Sequence, residues 1–487
     1  MGHDDDTIHV VETGRSTEFD GTAPPKEKME RIGDNLWFAY AVLAAAQVVA
    51  FANAVKFSYD DTHLGGNTVI HWHTGENVDS AVWITVCLVV VVAINLFPAK
   101  VYGQLEYIFG CIKLTFIVLL IVAMLILNTM TPLPGAYYDK PIRTKSALRT
   151  TLVNVMFSYI GMDIVVATAA ESRALADSES MKMGARKINL RILTLYALAV
   201  TTASFVVPYD HPFINGGGSS VGASSIFIIA AVEAGLPKLA QFFNAMFVLS
   251  AFTCAINSLY VASRVLHTLA LRGQTGPEFI TRRLRACRSG VPVRSILASA
   301  ALMLIAYMGR SGSPGSRLQE LSNNCTVSCL IAYATICATY LVFYKTLETA
   351  KLSGNTSESQ AASYDRDNSL YPYKSHGQWL KAFYGFAAST ILVLFNGIPA
   401  FIDEPFNVRR FVSAYAGLPV YFLLIAGYKI RKHGLRLSNW GPERSEDLSN
   451  TVQAASEKRR GRLEFRETGF TVNNFLTFIH WIWVWVK

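Results

Sequence analysis

Charge is scarce in this sequence. Asp, Glu, Lys and Arg make up only 16% of the 487 residues while 51% are hydrophobic, whereas globular domains carry roughly 25% charged residues. A chain so poor in charge does not have the surface of a soluble enzyme. Cysteine is scarce too, at 7 residues, with no Cys-x-x-Cys pair and with Cys287 the one residue away from the apolar segments, which excludes a disulfide framework or zinc ribbon. A catalytic zinc signature is missing as well: there is no His-Glu-x-x-His helix. The sequence has no Walker loop, so ATP-driven work by this chain is excluded. No enzyme activity and no cofactor are expected. The first 35 residues lack an apolar core and are rich in Asp, Glu and Lys, so no cleavable signal peptide opens the chain.

Long apolar runs dominate what is there. A hydrocarbon layer about 30 Å thick needs about 20 residues at 1.5 Å rise each, and ten windows approach that length: 36–57, 81–97, 103–129, 150–170, 188–207, 239–263, 293–308, 321–344, 383–402 and 411–428. Backbone amides have no water to bond inside a bilayer, so these windows are expected to be helices. A barrel would need alternating segments of about ten residues instead. The expected fold is an all-α polytopic membrane protein of about ten transmembrane helices. A disordered cytoplasmic leader (1–35) and a cytoplasmic tail (430–487) flank the membrane domain (36–429), and the tail ends in an apolar run, Phe475 to Val486, too short to span.

The formal net charge is +9, but its distribution argues for membrane topology rather than nucleic acid. Tyr209 to Pro237 contains no Lys or Arg, and the next loop carries Arg264, Arg272, Arg282, Arg283, Arg285, Arg288 and Arg294. The positive-inside rule makes the Arg-rich loop cytoplasmic and puts both termini in the cytoplasm. The loop from Met130 to Leu148 runs against this pattern, being predicted external yet carrying Lys140, Arg143 and Lys145.

Ionisable groups inside apolar spans cost several kcal/mol unless they meet a partner or a cavity. Asp163 stands mid-span, behind Ser158 and Gly161, which suit a helix that opens. A carboxylate paired with a neighbouring helix for structure is the alternative reading. Glu171 and Arg173 follow at the cytoplasmic end of the same span, as interfacial charges or as a gate. Lys113 lies ten residues into its window, where a long stem can snorkel to the cytoplasmic interface, and Glu106 shares its helix. His63, His71 and His73 with Asp60, Asp61 and Glu76 cluster in the first external loop, but their spacing is not that of a metal site, and no metal is assigned. Gly216-Gly217-Gly218 follows no strand and reads as a flexible turn.

Several stretches resemble the fungal amino-acid permeases of the amino-acid/polyamine/organocation (APC) superfamily, over roughly Leu36 to Lys429. The residues that carry this are Asn95-Leu96-Phe97 through Lys100-Val101-Tyr102-Gly103, then Glu106-Tyr107-Ile108-Phe109 and Ile112-Lys113, and Phe157-Ser158-Tyr159-Ile160-Gly161 with Ala169-Ala170-Glu171-Ser172. Asn257-Ser258-Leu259-Tyr260-Val261-Ala262-Ser263-Arg264, Leu394-Phe395-Asn396-Gly397 and Ala414-Tyr415-Ala416-Gly417-Leu418-Pro419 extend it. The resemblance implies twelve helices with two inverted repeats, alternating access, and proton-coupled amino-acid uptake at the plasma membrane. It implies that the interrupted sixth helix of the family holds the substrate's amino group. That role falls here to Ser158, Tyr159, Ile160 and Gly161, with Asp163 at the acidic position. Asp163, Glu171 and Lys113 are then candidates for proton coupling or gating. The implied partners are an amino acid, protons and the lipid bilayer, with no nucleic acid.

Departures from the family pattern are specific. Nothing before Leu36 supplies the family's Gly-rich broken first helix or its second, so ten spans stand where twelve are expected. Leu-Pro-Leu-Glu is replaced by Ala44-Ala45-Ala46-Gln47, the Glu of Tyr-Gly-Glu by Gln104, and Pro-Arg-Lys by Ala185-Arg186-Lys187. Two functions are therefore open: amino-acid transport, or a truncated, non-transporting permease-like protein that senses amino acids or binds partners.

Overall fold

The computed structural model describes residues 26–62, 67–130, 161, 188, 190–207, 211–214, 220–271, 275, 278–287, 290–310, 314–352, 377–397, 401, 406 and 408–433, and structural statements refer to these. Most of them are helical. Chain order gives α1 (Lys26–Val55), a hairpin of β1 (Ser58–Asp60) and β2 (Val69–His71), α2 (His73–Glu76), α3 (Ser80–Asn95) and α4 (Ala99–Met130). Then come α5 (Ile192–Ser204), α6 (Ile226–Glu233), α7 (Pro237–Leu271) and α8 (Glu278–Arg285). The series closes with α9 (Val293–Arg310), α10 (Pro314–Leu352), α11 (Gln378–Phe395), α12 (Val408–Tyr415) and α13 (Gly417–His433).

Among the described residues, α1 from Leu36, α4, α7, α9, α10 and α11 are the 6 helices long and apolar enough to cross a membrane. The chain is thus an all-α, multi-pass membrane protein. Two expected spans, α3 and α5, are shorter apolar helices. α5 opens with a π-helical turn, Ile192–Tyr196, before becoming α-helical at Ala197. The expected span 411–428 is split by Ala416 into α12 and α13. The window 150–170 contributes only Gly161 to the described residues. α1 starts at Lys26, ahead of the apolar window, so polar residues extend the helix into what composition marks as leader.

Local chemistry explains the boundaries. Asp79 caps α3, its carboxylate accepting the Ala81 N–H at 2.9 Å, which satisfies an amide that has no partner inside the helix. Pro98 follows the end of α3, and its carbonyl accepts the amides of Val101 and Tyr102 as α4 begins. Threonine hydroxyls within the spans bond back to their own helix, as Thr253 does to Leu249 O at 2.9 Å and Thr335 to Ile331 O at 2.7 Å, which satisfies polar groups that lipid cannot.

Five helices build the central scaffold. α1 packs along α7, α9 and α3, and α10 joins the same buried cluster through Leu321, Cys325 and Cys329. Lipid tails are as apolar as leucine, so helices in a bilayer associate by close packing and hydrogen bonds rather than by the hydrophobic effect. α1 supplies small residues for this, with Ala39, Ala41, Ala44, Ala45, Ala46 and Ala52 all buried. The Ala44-Ala45-Ala46 run that departs from the family pattern is thus buried in the packing of α1 against its neighbours. Polar bonds fix the crossings: Trp37 Nε1 donates to Ser299 Oγ at 3.0 Å, Asn244 Nδ2 to Ala54 O at 2.8 Å, and Asn95 Nδ2 to Ile256 O at 3.3 Å. Thr85 and Tyr307 share a hydroxyl contact of 2.7 Å between α3 and α9.

A second core covers the hairpin end of the bundle. Phe57, Tyr59, Ile70 and Phe213 pack with Phe116, Leu120 and Met124 of α4 and with the apolar face of α6. The first loop therefore contains an ordered antiparallel hairpin, with Tyr59 opposite Ile70.

The motifs at the C-terminal side also meet. Tyr415 Oη donates to Leu394 O at 2.7 Å, Asn396 Nδ2 donates to Ala414 O at 3.4 Å, and any Cβ at Gly397 would collide with the Tyr415 ring. Leu394 to Gly397 and Ala414 to Pro419 are two halves of one contact.

Candidate functional site

Five positions are expected to receive substrate, and the structure describes one of them, Gly161. Ser158, Tyr159, Ile160 and Asp163 lie outside the described residues, as do Glu171 and Arg173. Gly161 has φ 116°, far from the −63° of an α-helix and in a region that side-chain-bearing residues rarely adopt. Its amide is directed to a side chain, donating to Tyr333 Oη of α10 at 3.4 Å, 172 positions further along the chain. A helical amide bonds the carbonyl four residues back. Tyr333 is partly buried and packs on the scaffold cluster, so this non-helical backbone is held against the rigid part of the molecule.

Lys113 is the other described candidate, and its surroundings differ from those expected. Its Nζ lies 3.5 Å from Cys254 Sγ, midway along α7, instead of reaching along α4 to the interface. Both residues stand near the centre of their helices, where a cation is costly without partners. The Lys113 ammonium also acts electrostatically on Glu106, two turns away on its own helix.

Glu106 belongs to a polar ladder between α4 and α7 that sequence reasoning did not assemble. Asn257 Nδ2 donates to Glu106 Oε1 at 3.2 Å, and its Oδ1 accepts the Tyr102 hydroxyl at 2.9 Å. Tyr102 stacks on Tyr260 with ring centroids 3.8 Å apart and planes 4° from parallel, and the Arg264 guanidinium lies 4.9 Å from the Tyr260 ring centre. Cation, stacked rings, amide, carboxylate and ammonium thus follow one another along a single helix–helix seam. The two motifs supplying them read separately in the sequence, and the signal that could have joined them is the Asn and Glu standing within apolar helices.

At the hairpin end, His211 Nε2 and Glu233 Oε1 are 3.0 Å apart. Burial raises the Glu233 carboxyl above its ordinary range, and the neighbouring His211 opposes that shift. Burial, with the Asp61 and Glu233 carboxylates nearby, likewise holds the Tyr59 hydroxyl protonated well above its ordinary value. Asp79 pairs with Arg310 at 3.1 Å and ties the start of α3 to the end of α9.

The histidine-rich loop has its own geometry. His71 Nδ1 lies 3.0 Å from Glu76 Oε2, and the His71 and His73 rings are stacked 6.1 Å apart. His63 lies outside the described residues. Among the described residues no group of three or more His, Cys, Asp or Glu could hold a metal ion. Gly216-Gly217-Gly218 also lies outside them.

The profile of the family described as Amino acid permease matches residues 31–438, most of the chain and all of the helices just described apart from the first turn of α1. The chain belongs to the amino acid permease family. It is a family of transporters and not of enzymes, and it accounts for the multi-pass helical fold. A proline-specific permease of Saccharomyces cerevisiae is 28% identical over 461 residues, covering 90% of this chain and 67% of that protein. A dicarboxylic amino acid permease of the same yeast is 25% identical, covering 82% and 63%. A lysine/arginine permease of Candida albicans is 25% identical, covering 83% and 67%. The chain thus spans about two thirds of the length of these curated relatives. Their names cover a neutral, an acidic and a basic substrate, so permease membership by itself selects no one amino acid.

Proposed function

We propose that this chain carries amino acids across the membrane by alternating access, and that the opened backbone at Gly161 is part of the substrate site. The observation that carries the reading is the positive φ of Gly161 with its amide turned to Tyr333. Backbone freed from helical bonding presents amides and carbonyls to the charged ends of an amino acid, which is how broken helices serve transporters. In this reading Ser158, Tyr159, Ile160 and Gly161 receive the substrate's amino group, and Asp163 supplies a carboxylate beside them. α1, α3, α7, α9 and α10 form the frame around that segment, and Tyr333 of α10 is its contact point.

Proton coupling is proposed to use Asp163 with Glu171 and Lys113 as gating charges. The contact of Lys113 with Cys254 in the middle of α7 supports this reading, because a nearby charge changing its protonation state would alter the α4–α7 contact. The Arg-rich α8 end is taken as cytoplasmic, with both termini on that side and the plasma membrane as the site of residence.

Uptake of radiolabelled amino acids in permease-deficient yeast tests the proposal, using this chain and a version extended upstream of Met1. Concentrative uptake that collapses with the proton gradient supports it. Binding without flux by both versions would instead favour a sensing role.

A further inference from the structure

Between α7 and α9 the chain forms α8, Glu278–Arg285, a short helix bonded to the scaffold. Its inner side is fixed by several contacts. Thr281 is buried and takes a hydrogen bond from Thr275 at 3.0 Å, Arg285 Nε donates to Ala270 O at 2.7 Å, and the Leu284 carbonyl meets the His267 ring at 3.1 Å. Arg294 Nη1 donates to Arg283 O at 3.3 Å, which ties the helix to the start of α9 as well. α8 is therefore anchored to the ends of two membrane-crossing helices.

The outer side has the opposite character. Phe279 is 66% exposed and Ile280 37% exposed, and Arg282 and Arg283 are exposed beside them. Arg282 and Arg283 follow Phe279 by three and four residues, so all three share one face of the helix. Nothing in the scaffold covers this face among the described residues. An aromatic ring flanked by two guanidinium groups, tied to the ends of two membrane-crossing helices, matches a layer that is apolar beneath and phosphate-rich above.

We infer that α8 is a lipid-binding element, with Phe279 and Ile280 entering the boundary of the acyl chains and Arg282 and Arg283 binding the phosphates of anionic headgroups. Each arginine near an anionic surface strengthens such attachment about fivefold. The occupant is the bilayer to which the chain already belongs, so no further protein is required. The inference stands on α8 alone, whether or not the chain transports.

Hydrogen–deuterium exchange on the intact chain in nanodiscs tests it. Amides of residues 278–285 are expected to exchange roughly tenfold or more slowly in phosphatidylcholine mixed with phosphatidylserine than in phosphatidylcholine alone. The double variant Arg282→Gln/Arg283→Gln should lose that difference, and Phe279→Ser should speed exchange in both lipids. Raised salt on the unmodified chain should also remove the difference, which keeps the test open if a variant folds poorly. Equal exchange in the two lipids at low salt overturns the inference. So does slowing that appears only when a soluble acidic phosphopeptide is added, because the face would then serve a protein partner.

Discussion

Asn257 on α7 donates its side-chain amide to the carboxylate of Glu106 on α4 at 3.2 Å. The same amide group accepts the Tyr102 hydroxyl at 2.9 Å, so one side chain satisfies two groups of the facing helix. Asn257→Ala takes the partner from both. Leaving a buried polar group without its bond costs about 1–3 kcal/mol, more when the group is charged. Thermal unfolding of the purified chain should move to lower temperature by that equivalent. Combined with Glu106→Gln in a double-mutant cycle, the two losses should be less than additive, since they share one bond.

Crowding on α1 predicts a second stability effect. Ala45 is fully buried in the seam where α1 meets its neighbours, and Ala45→Leu forces extra methyl groups into it at a cost of about 1–3 kcal/mol. Val89 on α3 is 58% exposed, and Val89→Leu should leave unfolding unchanged. Parallel melting curves of the two variants check the contrast.

How much of this could be read from the sequence differs by element. The spans at α1, α4, α7 and α10 were legible because uninterrupted apolar windows leave a helix no alternative in lipid. The split at Ala416 was not, since the window is apolar on both sides of it and the contact of Tyr415 with Leu394 O joins residues from separate helices. The hairpin after α1 was hidden for a similar reason: its strands are 3 residues each and are held by Phe213 and α6 packing on them from far along the chain. For the site, Gly161 was legible as a weak point in a helix, whereas its Tyr333 partner was not, because a tyrosine in an apolar span shows no preference among neighbours. Lys113 illustrates the same limit. Stem length allowed it to snorkel along α4, and only the packing of α7 decided where its ammonium went.

The Asp79 carboxyl predicts an acid-side dependence. The Ala81 amide that it accepts, aided by Arg310, holds it below its ordinary value of 3.8. As pH falls, the unfolded chain takes up that proton before the folded one does, so the folded state loses stability between the ordinary value and the lowered one. Above the ordinary value the contribution is fully present. Asp79→Asn keeps an N-cap acceptor but has no proton to gain, so its unfolding temperature should vary less with pH in the acid range. Circular dichroism melts through that range make the comparison.

Counterflow in proteoliposomes is the most direct test of the central claim, that amino acids cross the membrane through the opened backbone at Gly161. Purified chain is reconstituted with an amino-acid mixture inside, and entry of each radiolabelled amino acid is followed. The predicted result is saturable counterflow of at least one amino acid, and its loss in Gly161→Val, whose side chain cannot readily adopt φ 116°, while helical content is retained. Absence of counterflow from the unmodified chain and its upstream-extended version, or full counterflow in Gly161→Val, would contradict the account.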